Sequence, residues 1–432
     1  MNLERRKVIQ SIGAAGAATL GAPYLNLAHA QGSPIPLGVA LPLTGNAGAY
    51  GPDMAEAAKR TAERINAAGG ILGGRKLELV IEDSESSAAV AANLSHKFIN
   101  VHKAQSLLGY WGTPEGMSSR PIAVQNKVVL MVSSAANAIT EGDTQGYVWR
   151  FQMKATDWGT VISRATLKLG FKSVGIMGLQ NAFVLPIQKV FEEQMKANGR
   201  KVVDSLIYNP EQPSYRAEVE RVFGKQPEAV YCFGLLPDFV SIMKEVYRGG
   251  FESKVVALSI MADAEGKFVQ AVGNKVAEGI RHFQPMPDVA APGYKKFLKL
   301  MAAPADRVFL FPPNTHDQIA ITALAMEKAK SPMAVDWSKQ IIAVGNGPGQ
   351  EVDDVVEALK LVRAGKPINF QGAGSTCDFT PNGDQLGRGM GQWIKGRQEP
   401  VRRVRETLKN RQANRTLCVR YRTDQVGRMC EH

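Results

Sequence analysis

The chain has 432 residues, 44% of them hydrophobic and 21% charged, with a formal net charge of +12. That is a globular composition, long enough for two ordinary cores. The positive excess sits at the ends: residues 1–30 carry +2 and residues 397–432 carry +6, leaving +4 between them, too little for an electrostatic nucleic-acid footprint, so nucleic acid is excluded as a partner.

Residues 1–30 read as an export signal. Arg5-Arg6-Lys7 precede an Ala/Gly-rich apolar run and the small-x-small triplet Ala28-His29-Ala30, predicting cleavage after Ala30. The adjacent arginines, followed by Lys7-Val8-Ile9, resemble the twin-arginine kind, with an ordinary Sec signal as the alternative. Gly13, Gly16, Gly21 and Pro23 dilute the run, and no later segment approaches 18 consecutive apolar residues, which argues against a membrane anchor. A soluble protein outside the cytoplasm is expected.

The first element is a strand from Ile35 to Leu41, whose near-continuous apolar character suits burial on both faces. A loop with Gly45, Gly48 and Gly51 follows, and Asp53 is expected to cap a helix carrying Ala57, Ala58, Thr61, Ala62 and Ile65 until Gly69-Gly70 stops it. Leu77 to Ile81 is the second strand, ending in Glu82-Asp83. Glycines between a first strand and a helix can cradle a pyrophosphate, but here the spacing is G-x-x-G-x-x-G and the acidic pair lies more than thirty residues beyond the loop. Both features depart from the dinucleotide fingerprint.

The alternation continues. Ser106 to Leu108 leads into Gly109-Tyr110-Trp111-Gly112-Thr113-Pro114-Glu115, where Thr113 is a candidate N-cap and Pro114 a candidate first helical residue. Val128 to Val132 ends at Ser133-Ser134-Ala135-Ala136-Asn137. Helices are predicted near Trp158–Leu169, Pro186–Asn198, Tyr215–Phe223 and Phe239–Tyr247, with strands at Ser173–Met177, Val202–Tyr208, Ala229–Phe233 and Val255–Leu258. Past Glu278 the sequence changes character, with Pro285, Pro287 and Pro292 before helices around Gly293–Met301 and Asp317–Ala329. The pattern predicts an α/β fold of two Rossmann-like lobes with parallel sheets, and ligands in such sheets sit at the carboxyl ends of strands.

Catalysis has little support. There is no H-E-x-x-H, G-x-S-x-G, P-loop or C-x-x-C pattern, and the six histidines are scattered. The acidic pairs Glu82-Asp83 and Asp353-Asp354 read as solvated charges. No metal site, cofactor or catalytic residue is predicted. Of the four cysteines, Cys232 lies in an apolar run and reads as a buried thiol; Cys377, Cys418 and Cys430 suggest no pairing. The constellation that does emerge is a binding one: the loops at Tyr50, Trp111 to Thr113 and Ser134 to Asn137 offer amides, hydroxyls and a helix N-terminus able to hold a small carboxylate. Helix capping alone is the competing explanation for Thr113, whereas Tyr50, a large aromatic in a glycine loop, is expected to have no core to enter.

Several segments together resemble the branched-chain amino-acid-binding proteins of ABC importers, which are type I periplasmic binding proteins. They are P-L-T-G…A-Y-G, I-N-A-A-G-G-I-L-G-G-R, E-D-S, G-Y-W-G-T, V-W-R-F-Q…D-W-G, Pro227 to Val230, His316-Asp317 and C-D-F-T-P-N-G-D at Cys377 to Asp384. The resemblance covers about residues 35–396. It implies two lobes crossing near Asp157, His282 and Cys377, so that 31–156 and 283–376 form one lobe and 157–282 and 377–396 the other, with a ligand cleft between them. It further implies that Thr113, on the loop that begins at Trp111, holds a ligand carboxylate together with the loop from Ala135 to Asn137, that Tyr50 supplies an aromatic wall, and that Phe183, Leu236 and Asp263 face them from the second lobe, Asp263 as the acid for an amino group. Asn137 stands where the family has threonine, Phe183-Val184 where it has Tyr-Gly, and Leu236 near an aromatic, so aliphatic or aromatic acids and small amides compete with amino acids as ligand. The implied role is a periplasmic, monomeric receptor that delivers its solute to membrane permease subunits; a sensor of the same fold is the alternative. The arginine-rich stretch 397–432 departs from the family and reads as an altered, disordered C-terminus or a basic arm.

Overall fold

The structure, a computed structural model, describes residues 32–142, 144–262, 266–386, 389–394, 404–407 and 419–421. The expected signal segment, Asp263, Cys418 and Cys430 lie outside these residues.

Strand β1 (Ile35–Leu41) pairs in parallel with β2 (Leu77–Asp83), Ile35 opposite Leu77 and Leu41 opposite Asp83. With β3 (Ser106–Tyr110), β4 (Val129–Val132) and β5 (Val148–Arg150) they form a five-stranded sheet in the order β2-β1-β3-β4-β5. Buried residues run the whole length of β3, β4 and β5, as expected of strands covered on both faces. Helices α1 (Gly51–Ala67), α2 (Ala88–Asn100) and α3 (Thr113–Asn126) are the connections. After β5, helix α4 (Ala155–Leu169) leads into β6 (Ser173–Leu179), the first strand of a second sheet.

That sheet alternates likewise: α5 (Val184–Ala197), β7 (Lys201–Tyr208), α6 (Arg216–Phe223), β8 (Ala229–Phe233), α7 (Leu236–Arg248), β9 (Lys254–Leu258) and, after short helical turns, β10 (Arg281–Met286). Its parallel part runs β10-β9-β8-β6-β7. The chain then returns to the first lobe through α8 (Pro292–Leu300) and α9 (Pro312–Ala329). Arg60 of α1 donates to the carbonyl of Leu300 at 2.9 Å, fastening α8 there. A two-stranded parallel pair, β11 (Gln350–Val352) and β12 (Ile368–Phe370), flanks α10 (Val355–Arg363). Near its end the chain touches β5 through a bridge between Arg150 and Asp384, and then enters the second sheet as β13 (Gly389–Ile394), antiparallel to β10. The short strands β14 (Val404–Thr407) and β15 (Val419–Tyr421) extend that edge. The two parallel sheets with flanking helices match the sequence expectation, and the antiparallel edge is an addition it did not contain.

Helix α9 begins five residues before its expected start, because Pro312 and Pro313 occupy its first turn, where a missing N–H costs nothing. Every residue from Pro312 to Met326 is buried, which marks a helix packed on all sides. Cys232 in β8 is fully buried and unpaired, and burial pushes its thiol up to about 12. Cys377 is also a buried free thiol.

Candidate functional site

The glycine loop after β1 is fastened by the end of β2. Thr44 Oγ1 donates to Asp83 Oδ2 at 2.6 Å, while the amides of Leu43, Thr44 and Glu85 donate to Oδ1 at 2.9, 3.1 and 2.8 Å. Ser86 adds a bond to the Thr44 carbonyl at 2.9 Å. Burial alone would raise the Asp83 pKa, but the Thr44 hydroxyl and the three amides outweigh it and hold the carboxyl below its ordinary value. Gly45 has φ +77, and a Cβ there would lie 2.3 Å from the Glu85 carbonyl oxygen, so the loop closes this tightly only with glycine. Neighbouring Glu82 pairs with Lys97 at 2.6 Å. The acidic pair is thus a loop anchor and an ion pair.

Two capping expectations are corrected. Tyr50, not Asp53, occupies the N-cap of α1; Asp53 lies in the first turn and faces Arg307 at 3.3 Å. Gly112, not Thr113, occupies the N-cap of α3, and Thr113 is the first helical residue. The Thr113 hydroxyl instead meets Ser134 Oγ at 3.0 Å, which removes capping as its explanation.

Tyr50 is also corrected: it has a core to enter. The residue is 8% exposed, its ring stacked on Trp111 with centroids 5.5 Å apart and set edge-on to Phe311 at 5.0 Å. Trp111 meets Phe311 edge-on at 5.3 Å. Such geometries suit the ring quadrupoles. Phe311 sits at the N-cap of α9, roughly 260 residues from Tyr50, far outside the short window over which periodicity can be read. The buried indole Nε1 of Trp111 has no hydrogen-bond partner among the described residues.

The loop after β4 is held by Arg150, whose side chain is wholly buried. Nη1 donates to the Ser134 carbonyl at 3.0 Å, Nη2 to the Asn137 carbonyl at 3.3 Å and to Thr140 Oγ1 at 2.7 Å, and Nε to Asp384 Oδ1 at 2.8 Å. Burial pulls the guanidinium pKa down and Asp384 opposes that pull; Arg still stays charged. The Ala135 carbonyl accepts from the Ala155 amide at 2.7 Å. Asn137 exchanges bonds with Thr156, side-chain Nδ2 to Oγ1 and amide to Oδ1, both at 3.4 Å. The predicted carboxylate loop is therefore joined to the first turn of α4, the chain's passage to the second lobe.

From that turn Trp158 reaches Phe183 edge-on at 5.4 Å, while its Nε1 donates to the Met153 carbonyl at 3.0 Å. Phe183 caps α5, and its own amide bonds to Asn181 Oδ1 at 3.1 Å. Leu236 is the first residue of α7 and is half-buried against the core. The geometry thus gathers Tyr50, Trp111, Thr113, Ala135 and Asn137 around three strand ends, and links Phe183 to them through Trp158. Phe311 and Arg150 are the contributors that sequence reading did not assign, and Ser134, read there only as part of its loop, is brought to Thr113. A cavity of about 400 Å³ lies elsewhere, between Met286, Asp288, Gly293, Asp353, Gly372 and Ser375, and none of the predicted residues lines it. Among the described residues no cluster of metal-ligating side chains occurs.

Known proteins place this architecture. A "Chemotactic signal transduction system substrate-binding protein BasB" of Halobacterium salinarum is 23% identical over 81% of this chain and 84% of its own length. "Leu/Ile/Val-binding protein homolog 3" of Brucella melitensis is 21% identical over 89% and 95%. Among solved structures, the branched-chain amino-acid transporter substrate-binding protein LivJ of Streptococcus pneumoniae, in complex with isoleucine, superposes with a TM-score of 0.70 at 19% identity, over 87% of this chain and all of its own. A solute-binding protein of Rhodopseudomonas palustris in complex with 4-hydroxybenzoate gives 0.67 at 17%, over 86% and 95%. At such identities these structures speak for the fold alone. The family model described as periplasmic binding protein matches residues 34–362, and the chain therefore belongs to the periplasmic binding protein family, with its type I fold of two parallel-sheet lobes.

Proposed function

We propose that this protein is the exported solute receptor of an ABC importer, which captures a small carboxylate-bearing solute between its lobes and delivers it to membrane permease subunits. The branched-chain or a related amino acid is the first cargo to test. The observation that carries the reading is the convergence of three strand-end loops, with Thr113 Oγ1 and Ser134 Oγ 3.0 Å apart beside the Tyr50–Trp111 stack. Two hydroxyls and the N-terminus of α3 suit a carboxylate, and the aromatic surface suits an apolar body. Closure about the passages between the sheets would expel water and strengthen those polar contacts. Export rests on the Arg5-Arg6 segment and Ala28-His29-Ala30; the release of residues 1–30, the monomeric state and the roles of Leu236 and Asp263 belong to the same proposal.

A second reading has support of its own: the relative named for chemotactic signal transduction favours a sensor role, for which an amide or an aromatic or aliphatic acid is the ligand to test. Isothermal calorimetry on residues 31–432 with L-isoleucine, L-leucine, benzoate, 4-hydroxybenzoate and short amides tests both. Binding of an amino acid supports the importer reading with its first cargo; binding only of acids lacking an amino group changes the cargo; no binding of any of them rejects this solute class.

A further inference from the structure

The third strand of the first sheet carries an irregularity. Between Leu107 and Tyr110, the two residues Leu108 and Gly109 of β3 stand against the single Met131 of β4, since Leu107 lies opposite Leu130 and Tyr110 opposite Val132. That is a bulge, and bulges bend a strand and re-aim the side chains that follow. Gly109 makes it, with φ +85; a Cβ there would lie 2.8 Å from the Ala40 carbonyl oxygen and 2.7 Å from Leu41 Cδ2. A bulged residue loses its ladder partner, and a buried N–H without one is costly.

The partner comes from far along the chain. Gln318, fully buried in α9, accepts the Gly109 N–H on Oε1 at 2.7 Å and donates from Nε2 to Ser133 Oγ at 3.2 Å. Gly109 stands two residues before Trp111 and four before Thr113. Ser133 immediately precedes Ser134. One carboxamide therefore spans the two strand ends that bring the Thr113 and Ser134 hydroxyls together. The planar carboxamide supplies the acceptor and the donor for these two bonds at once.

We propose that Gln318 is a positioning residue for ligand binding: it stabilises the Gly109 bulge and sets the spacing between the Trp111–Thr113 and Ser134–Asn137 loops. The proposal rests on the receptor reading above for its consequence and on the bulge for its mechanism. Three variants test it: Gln318→Met, which keeps volume and removes both bonds; Gln318→Glu, which keeps the acceptor for Gly109; and Thr322→Val, a buried control one turn along the same helix.

Amide hydrogen exchange over residues 107–116 of the ligand-free protein is the first readout, and affinity for L-isoleucine and 4-hydroxybenzoate is the second. Gln318→Met is expected to speed exchange about tenfold and to weaken whichever probe binds by about tenfold, the effect of leaving the buried Gly109 N–H unpartnered. Gln318→Glu should restore protection of this segment and Thr322→Val should alter neither readout. Unchanged exchange in Gln318→Met, or an equal effect from Thr322→Val, overturns the proposal. Faster exchange with unchanged affinity overturns its role in binding; if neither probe binds the parent protein, the receptor reading fails for those solutes, and exchange decides whether Gln318 stabilises the Gly109 bulge.

Discussion

Arg150 Nε donates to Asp384 Oδ1 at 2.8 Å, joining residues 234 positions apart, with the guanidinium wholly buried and Thr140 Oγ1 bonded to the same carboxylate oxygen at 2.6 Å. The pair fixes the final passage of the chain against β5, and the same guanidinium holds the carbonyls of Ser134 and Asn137. A buried charge without its partner is strongly destabilising. Arg150→Met should therefore cost about 3 kcal/mol in urea unfolding, and the Arg150→Met, Asp384→Asn pair should cost less than the sum of the single changes. Additive losses would show that the two residues act separately.

Tyr50→Ala opens a hole among Trp111 and Phe311. Because the ring is buried, the variant should lose about 3 kcal/mol of stability, as large aromatic truncations do, and should also weaken solute binding. Tyr50→Phe retains both ring contacts and should stay within about 1 kcal/mol of the parent. Thermal melts separate the two; equal melting temperatures for Tyr50→Ala and the parent would place the ring outside the core.

Thr113→Val tests the hydroxyl directly. Gly112 provides the cap, so the change removes no cap bond but only the contact with Ser134 Oγ; stability should fall by about 1 kcal/mol or less, while affinity for a carboxylate probe should fall by about tenfold. Calorimetry with the methyl ester of the same acid is the control: the ester should bind weakly to both proteins.

Acid should loosen the glycine loop. The Asp83 carboxyl lies below its ordinary 3.8 in the folded chain. The stability it contributes is complete above that ordinary value and is lost as pH falls through the lower, folded value. Melts between pH 6 and about 2.5 should show a steeper acid limb in the parent than in Asp83→Asn, which lacks this contribution at every pH. Identical acid limbs would remove Asp83 as an anchor.

Much of the architecture was legible in order. The apolar runs at Ile35–Leu41 and Ala229–Phe233 and the helical stripes between them follow from local periodicity, which needs no distant partner. The E-D-S strand end and the P-L-T-G loop were each visible, as were Trp111, Thr113 and Asn137. Their pairings were not: nothing in the residue order says that Asp83 reaches Thr44, or that Thr113 bonds to Ser134 in place of capping its own helix.

The amino-acid sequence by itself determined the alternation of strands and helices, the buried character of the sheets and the placing of polar loops at strand ends, since these depend on spacing along the chain. Tertiary structure alone decided that Phe311 completes the Tyr50–Trp111 cluster, that Arg150 finds Asp384, and that Gln318 serves the Gly109 bulge. Each of these joins residues 200 or more positions apart, and its energy comes from burial and hydrogen bonding that exist only once the chain has folded.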